Sequence, residues 1–299
     1  MGAAFLYGIG AAKAGTTWLA QSLRKHPQAA LPPAKETHYF DSVAFGTSLW
    51  AVDQAIRVRE KKRAALVDAP TEAARARARA WVEEQDRWLA LIAAQRADDA
   101  GYEALMQRRA KDGVRVIADI TPAYALLDGD TFGRMAALND GNTRFLMILR
   151  DPVDRLWSNI AMTLARHNLK GRDANKARAD VMGQVLSGDD NSPELARSDY
   201  AGTLTRLYAA VPESQRLVLF FEELFAPETL AQLAKFLGLS TPLQGPDRKV
   251  NATHGTQITP QERAQLAERL RPQYDDIQTR LGRLPARWQD TYQTSMVAS

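Results

Sequence analysis

The feature that most constrains the fold lies near the start of the chain, where residues 5–18 read FLYGIGAAKAGTTW. Its first residues form a short apolar run that is typical of a buried strand. Glycines then allow a tight turn, and from Thr16 onward the pattern is helical. The first N–H groups of a helix have no partner within it, and the helix dipole adds partial positive charge there. With Lys13 inside the turn, the stretch predicts a phosphate-binding loop.

The position of the lysine separates this loop from that of nucleotide kinases. The kinase loop reads GxxxxGK[ST], with the lysine directly after the second glycine. Gly10 and Gly15 keep that spacing, but Thr16 stands where the lysine belongs, and the lysine is Lys13 instead. The order K-x-G-T-T-W resembles the 5′-phosphosulfate loop of sulfotransferases that use 3′-phosphoadenosine 5′-phosphosulfate (PAPS). An ordinary strand-to-helix turn with a solvated lysine is the alternative.

A second stretch, residues 144–162 (RFLMILRDPVDRLWSNIAM), shows the same order of a strand, a turn and a helix. A buried strand ends at Arg150, Asp151 is placed to cap the following helix, and Pro152 suits its first turn. Ser158 falls two helical turns after Asp151 and on the same face. The planar fork of an arginine donates two hydrogen bonds at once to a phosphate. Arg150 and Ser158 therefore predict a second phosphate site, although Arg150 alone also fits a structural salt bridge.

Further apolar runs at residues 114–120, 145–149 and 217–221 alternate with helical patterns. This order predicts an α/β fold, with a mostly parallel central sheet and helices on both faces. Ligands of such sheets collect at the carboxyl ends of the strands, where Gly10, Asp119 and Arg150 fall.

Residues 49–110 differ in composition, being rich in Ala, Arg and Glu. Trp81 and Trp88 lie seven positions apart and indicate one apolar helical face. The break at residues 68–71 predicts at least two helices. We expect a single domain over residues 1–299, with a helical insertion at about 49–110 folded over the sheet.

Composition excludes several classes of function. The formal net charge of +4 suits an anionic ligand, but no Lys/Arg cluster is interleaved with aromatics, so we expect no nucleic-acid partner. The chain has no cysteine, which rules out disulfides and thiolate metal sites and fits a reducing, cytoplasmic location. The four histidines show no metal-ligand spacing, and no apolar run reaches the length of a membrane span. We expect no signal peptide, since residue 5 already falls in the first predicted strand.

Over residues 5 to about 288, the chain resembles bacterial PAPS-dependent sulfotransferases, and it is similar to the heparan-sulfate and carbohydrate branch of that family. Residues 35–41 (KETHYFD) resemble the segment that carries the catalytic glutamate, and residues 119–124 (DITPAY) resemble a strand-end motif. Residues 247–256 look like the late loop that closes over the cofactor, and residues 259–281 match a single C-terminal helix. One departure concerns Ile120, which stands where glycosaminoglycan enzymes often carry a substrate-binding lysine.

The resemblance implies a P-loop-like three-layer fold and in-line transfer from PAPS, with adenosine 3′,5′-bisphosphate as product and no metal ion. Lys13 would contact the bridging oxygen and the 5′-phosphate, and Trp18 would stack on the adenine, unless it packs in the core. The implied cofactor contacts are Lys13, Ala14, Gly15, Thr16, Thr17, Trp18, Arg150, Ser158, Lys249, Asn251 and Thr253. The implied acceptor contacts are Lys35, His38, Asp119 and Tyr124.

The acceptor is expected to be a hydroxyl of a sugar, lipid, phenol or small metabolite, whose proton must leave during transfer. Glu36 matches the family's base position, and His38 is its competitor, because side chains two residues apart in an extended segment point the same way. Lys35 favours Glu36, since a neighbouring positive charge stabilises an ionised carboxylate. A P-loop kinase and a non-catalytic nucleotide-binding scaffold, with the helical region as its partner surface, are the alternative functions.

Overall fold

The first strand, β1 (Ala4–Gly10), lies at the centre of the sheet with every residue buried. The computed structural model describes residues 2–46, 49–166, 171–187, 192–245 and 257–297. On one side β1 pairs with β3 (Val116–Asp119), and on the other with β4 (Thr143–Leu149). A strand that is covered on both faces reads as a continuous apolar run, which is why the pattern of β1 is so clear in the sequence.

Two further strands complete the sheet within the described residues. β2 (Ala29–Ala30) pairs with β3, and β5 (Arg216–Phe220) pairs with β4, so the order is β2-β3-β1-β4-β5 with all pairs parallel. The predicted α/β fold with a mostly parallel sheet is confirmed. Only β2 lacks a sequence signal, because two alanines carry no strand-like pattern. Parallel strands align their carboxyl ends, so the residues after β1, β3, β4 and β5 share one edge of the sheet.

Helices connect and cover the strands. In chain order they are α1 (Thr16–Lys25), α2 (Tyr39–Phe45), α3 (Leu49–Ala64), α4 (Glu72–Ala93), α5 (Asp99–Gln107), α6 (Gly129–Ala137), α7 (Pro152–Arg166), α8 (Gly171–Leu186), α9 (Pro193–Ala196), α10 (Tyr200–Ala210), α11 (Pro227–Leu237), α12 (Pro260–Arg269), α13 (Arg271–Leu281) and α14 (Ala286–Val297). Within the described ranges, none of them combines the length and the apolar character that a membrane crossing requires.

The helical region at 49–110 contains α3, α4 and α5, and its predicted break is confirmed. α3 ends before the break and α4 begins after it, with the Thr71 hydroxyl accepting a hydrogen bond from the Ala74 N–H at 3.1 Å. The two tryptophans have different surroundings. Trp88 is fully buried in the main core, edge-on to Tyr102 at 5.6 Å, whereas Trp81 is only half-buried beneath the Lys62 ammonium. α4 is therefore anchored in the core that the sheet shares.

The prediction of one C-terminal helix over residues 259–281 is wrong. α12 ends at Arg269 and α13 begins at Arg271, with Leu270 between them outside regular helical geometry. Pro272 explains the break, because it has no N–H to donate to a carbonyl in the last turn of α12 and its ring would clash there in a continuous helix. α14 follows and buries Trp288 against three aromatic rings, those of Tyr200, Phe220 and Tyr274.

Candidate active site

The Lys13 loop connects β1 to α1 in a conformation that few residue types adopt. Lys13 and Gly15 have φ values of 72° and 86°, in the left-handed region. A Cβ atom at Gly15 would lie 3.1 Å from the Phe221 ring, so glycine is needed there for space as well as for backbone freedom. The Lys13 ammonium lies 3.5 Å from Met162 Sδ on α7 and keeps part of its surface exposed.

No side chain of the described residues caps the start of α1, where Gly15 is the N-cap residue. Side chains cap several other helices, α4 by Thr71, α5 by Asp98 and α6 by Asp128, whereas α2, α11 and α13 also lack such a cap. What distinguishes α1 is that its uncapped start follows the Lys13 loop, and N–H groups in that position favour an anion. Ala14 and Thr16 are buried and Thr17 is half-buried, so the side chains of this loop are largely covered by the protein.

Arg150, the residue predicted for a second phosphate site, lies directly beside the Lys13 loop. Its Nη1 donates a hydrogen bond to the Lys13 carbonyl at 3.0 Å, and its guanidinium lies 5.4 Å from the centre of the Phe221 ring. These two contacts hold the Arg150 guanidinium beside the Lys13 loop and fix its orientation. The structural salt bridge considered for Arg150 is not among its contacts within the described chain.

Asp151 caps α7 as predicted, since its Oδ1 accepts the Asp154 N–H at 2.9 Å. Its Oδ2 accepts the Tyr274 hydroxyl at 3.0 Å, and burial raises the pKa of Asp151 to about 6. Ser158, further along α7, is only 5% exposed. The structure thus places Ser158 on the expected helix but leaves little of its hydroxyl accessible.

Glu36 and His38 form an ion pair, so the two candidate bases do face each other. Glu36 Oε2 lies 3.3 Å from His38 Nε2, and His38 Nδ1 lies 2.7 Å from Asp41 Oδ2. Burial alone would lower the pKa of His38, but the hydrogen bonds to Asp41 and Glu36 outweigh it and raise the pKa to about 10. His38 is therefore protonated at neutral pH, and an imidazolium cannot accept a proton.

Glu36 carries the complementary charge. Burial acts to raise its pKa, but the His38 hydrogen bond and the charge of Lys35 prevail, and the pKa falls to about 2. The Lys35 ammonium lies 2.6 Å from Glu36 Oε1, as its position in the sequence predicts, and 3.4 Å from the Thr16 hydroxyl of the Lys13 loop. One lysine thus connects the phosphate loop to the ionised carboxylate.

Asp119 and Tyr124, the other expected acceptor contacts, are fully buried behind the Glu36 segment. Four hydroxyl groups converge on the Asp119 carboxylate at 2.6 to 3.0 Å, those of Thr37, Thr121, Tyr124 and Tyr102. Neither Asp119 nor Tyr124 faces the cleft. Instead Thr37, next to Glu36, is attached through them to the end of β3.

Two aromatic residues that follow β5, Phe221 and Phe225, lie against the Lys13 loop and α1. No sequence motif had identified them. Trp18 is buried and packs edge-on against Phe225 at 5.0 Å, which matches core packing, while Phe225 keeps 38% of its surface exposed. Phe221 lies 6.0 Å from Phe225. The one available signal was their place directly after a strand, at the edge where Gly10 and Arg150 also lie.

Three expected cofactor contacts, Lys249, Asn251 and Thr253, lie outside the described residues, as does the rest of the loop at 247–256. The residues that are described contain no group of His, Asp or Glu side chains that could hold a metal ion.

The parallel sheet, the glycine-containing loop and the uncapped α1 define a P-loop-like protein, with the ionised Glu36 carboxylate close to that loop. A family model described as "Sulfotransferase family" matches residues 6–242. The chain belongs to the sulfotransferase family and is a sulfotransferase enzyme. The particular branch, with its heparan-sulfate-type acceptors, is not distinguished by this match.

One solved structure supports the fold, and two others are more distantly similar. A sulfotransferase from Alicyclobacillus acidocaldarius is 20% identical, with a TM-score of 0.63 over 95% of this chain and 98% of that one. The sulfotransferase domain of the curacin biosynthetic pathway is 15% identical, with a TM-score of 0.48 over 86% of this chain and 81% of that one. The sulfotransferase domain of the Synechococcus PCC 7002 olefin synthase is 20% identical, with a TM-score of 0.45 over 99% of this chain and 93% of that one. No curated protein matches the sequence.

Proposed function

We propose that this enzyme transfers the sulfuryl group of PAPS to a hydroxyl group, with Glu36 as the general base. The observation that carries the proposal is the position of Lys35, whose ammonium contacts both Thr16 of the phosphate loop and Glu36. An anion bound at the loop would thereby lie next to a carboxylate that can accept a proton. Transfer between a phosphate-bound donor and a hydroxyl needs that combination.

The residues at the sheet edge fit the donor. Lys13 and the first N–H groups of α1 would hold the 5′-phosphosulfate, and Arg150 with Ser158 would hold the 3′-phosphate. The exposed ring of Phe225, which packs on Trp18, offers an apolar surface for the adenine. PAPS supplies a sulfuryl group on a phosphate leaving group, and fixed N–H donors with a lysine stabilise the charge that develops on that phosphate.

The charge states of the Glu36 segment support the assignment of the base. Glu36 is ionised at neutral pH and His38 is protonated, so the carboxylate is the group that accepts the hydroxyl proton. A carboxylate with a pKa of about 2 is a weak base. An anion near Thr16 attracts the Lys35 ammonium, and a weaker Lys35–Glu36 ion pair raises the basicity of Glu36. Donor binding and base strength are thus coupled through Lys35.

The segment at 49–110 would shape the acceptor site. A crevice beside Glu36 and His38 is walled by α3 and α4, as expected for a segment that leads from the Glu36 loop to β3. We also propose that residues 1–299 form a single domain with a helical insertion at about 49–110. A cytoplasmic location and a reaction without a metal ion or nucleic-acid partner stay predictions of the sequence.

Thermal unfolding tests the donor. A ligand that binds only the folded state raises the melting temperature, so adenosine 3′,5′-bisphosphate without magnesium should stabilise the protein more than ATP. Arg150→Ala should remove most of the preference for the 3′-phosphorylated nucleotide, whereas Arg57→Ala, at an exposed position on α3, should keep it. Equal or larger stabilisation by magnesium-ATP would favour a kinase, and nucleotide binding without sulfuryl transfer to any hydroxyl would favour a scaffold.

A further inference from the structure

The backbone of Arg150 is held by a single side chain from α10. The ladder between β4 and β5 ends one residue earlier, at the pair Leu149 and Phe220. Backbone N–H and C=O groups that leave water need a hydrogen-bond partner, so those of Arg150 must find one outside this ladder. The Tyr200 hydroxyl donates to the Arg150 carbonyl at 2.8 Å and accepts the Arg150 N–H at 3.5 Å. One hydroxyl therefore takes the place of the neighbouring strand at this residue.

Tyr200 is well suited to this double contact. A hydroxyl group has one hydrogen to donate and two lone pairs that accept, so it can serve both backbone groups at once. Burial raises the pKa of Tyr200, and the hydroxyl keeps its proton at neutral pH. The side chain is only 1% exposed, and its ring stacks on Trp288 of α14, with centres 6.4 Å apart and planes inclined by 25°. Packing thus fixes where the hydroxyl lies.

The segment before Tyr200 is attached to α7, the helix that follows Arg150. The connecting side chain is Arg155, one helical turn into α7 and fully buried. Its Nη2 donates to the Glu194 carbonyl at 2.9 Å and to the Ser198 hydroxyl at 2.5 Å. Ser198 stands two residues before Tyr200. The start of α10 and the start of α7 are therefore held together as one unit around Arg150.

The Arg150 side chain extends from this fixed backbone to the Lys13 loop. Its Nη1 donates to the Lys13 carbonyl, so the arginine is held at both ends, by Tyr200 at the backbone and by Lys13 at the guanidinium. The planar fork of a guanidinium donates two parallel hydrogen bonds to a phosphate only in a suitable orientation. A backbone that is free to rotate at Arg150 would misdirect this fork.

We propose that Tyr200 is a positioning residue for Arg150 and thereby sets the preference of the donor site for a nucleotide with a 3′-phosphate. This inference rests on the proposed function, in which Arg150 binds that phosphate. Tyr200 acts through the backbone of Arg150 and not by touching the nucleotide. The 5′-phosphate is assigned to Lys13 and the start of α1, so loss of the Tyr200 hydroxyl should weaken binding of the 3′-phosphate more than binding of the 5′-phosphate.

Titration calorimetry of the full chain with two nucleotides tests the proposal. Adenosine 3′,5′-bisphosphate and adenosine 5′-monophosphate differ only in the 3′-phosphate, so the ratio of their affinities measures what that group contributes. Tyr200→Phe removes the hydroxyl and keeps the ring. It should lower this ratio roughly tenfold, the scale of one charged hydrogen bond lost or misdirected, and leave the affinity for the monophosphate near that of the wild type.

Two further variants make the test specific. Tyr208→Phe is the matched control, because Tyr208 is a half-buried tyrosine on the same helix whose ring lies beside Arg216 and Arg280. It should keep the wild-type ratio. Ser198→Ala removes a hydroxyl that Arg155 binds and loosens the segment before Tyr200. It should lower the ratio by a smaller factor than Tyr200→Phe.

The outcomes separate this inference from the function on which it rests. If the wild type binds both nucleotides equally, the second phosphate site of the proposed function is refuted, and the role of Tyr200 is refuted with it. If the wild type shows the preference and Arg150→Ala loses it, an unchanged ratio in Tyr200→Phe overturns the positioning role alone. An equal loss of both affinities would assign Tyr200 to stability only and also overturn that role. Should Tyr200→Phe fail to fold, an unchanged ratio in Ser198→Ala overturns it.

Discussion

Two carboxylates that are linked through one threonine have opposite surroundings. Glu36 lies between two cationic side chains, Lys35 and His38, and its pKa falls to about 2. Asp119 is fully buried, and burial raises its pKa despite hydrogen bonds from Thr121, Thr37, Tyr124 and Tyr102. Thr37, directly after Glu36, donates to Asp119 Oδ2 at 2.6 Å. The two sites are therefore close in the chain's tertiary structure yet differ in charge balance.

The comparison shows that partner charge, more than the number of hydrogen bonds, decides what a carboxylate can do. Cations compensate the charge of Glu36 and leave part of its surface exposed, so it can accept a proton from a ligand. Neutral hydroxyls satisfy the oxygens of Asp119 but add no opposite charge. Asp119 thus holds the segment that presents Glu36, which is the residue that we propose as the base.

Glu36→Gln should have the largest effect. Glutamine is nearly isosteric but cannot accept a proton, so turnover should fall by at least about a hundredfold, the usual scale for a general base. Steady-state kinetics with saturating PAPS measures the loss. Stabilisation by adenosine 3′,5′-bisphosphate should stay near that of the wild type, because the phosphates are bound by other residues. Retained turnover in this variant would remove Glu36 from the role of base.

Asp119→Asn should act on stability instead of chemistry. An amide accepts on one oxygen only, so at least one of the four hydroxyls loses its partner in a buried site. We expect the free energy of unfolding to fall by about 2 kcal/mol, measured by urea denaturation. Asp112→Asn, on the surface before β3, is the matched control and should change little. Unchanged stability of Asp119→Asn would show that the hydroxyl cluster does not hold the segment.

His38→Asn should reduce turnover about tenfold, less than the change at Glu36, because it removes a charged hydrogen bond to the base but not the base itself. In the wild type, the pKa values of about 2 for Glu36 and about 10 for His38 leave both charges constant around neutral pH. Turnover should therefore show no step near 6.5, the ordinary pKa of histidine. A rise in turnover with a midpoint there, or a more severe loss in His38→Asn than in Glu36→Gln, would assign the base to the imidazole.

The same histidine predicts a pH dependence of stability. The folded-state pKa of His38 lies above its ordinary value of 6.5, so its ion pairs stabilise the protein fully below pH 6.5 and are lost as the pH rises through about 10. The folded-state pKa of Glu36 lies below its ordinary 4.5, so its contribution is present above pH 4.5 and is lost as the pH falls towards 2. Melting temperatures of the wild type and His38→Asn should converge as the pH rises from 6.5 towards 10. Parallel curves over that range would contradict the raised pKa.

Thr37→Val should have the smallest effect and tests the link between the two carboxylates. The variant keeps the size of the side chain but loses the donor to Asp119, which should cost about 1 kcal/mol of stability. Turnover should fall a fewfold, because the Glu36 segment is held less firmly. Thr294→Val, at an exposed position of α14, provides the control. If turnover is unchanged while stability falls, the cluster supports the fold without positioning Glu36.

The sequence by itself determined the features that depend on neighbours along the chain. Continuous apolar runs predicted β1, β3, β4 and β5, and in the three inner strands they reflect burial on both faces of the sheet. The Lys13 loop, the Asp151 cap and the effect of Lys35 on Glu36 were also predicted, since each joins residues only a few positions apart. The family motifs lie within these local segments, which is why they identified the enzyme class.

Only the tertiary structure decided which of the predicted site residues face the cleft. Asp119 and Thr37 are 82 residues apart, and nothing in either local pattern shows that four hydroxyls bury this carboxylate. Likewise, Trp81 and Trp88 share a helix, yet only Trp88 enters the core, because α5 and α2 pack on that side of α4. Burial and hydrogen bonding depend on contacts between distant segments, and those contacts exist only once the chain has folded.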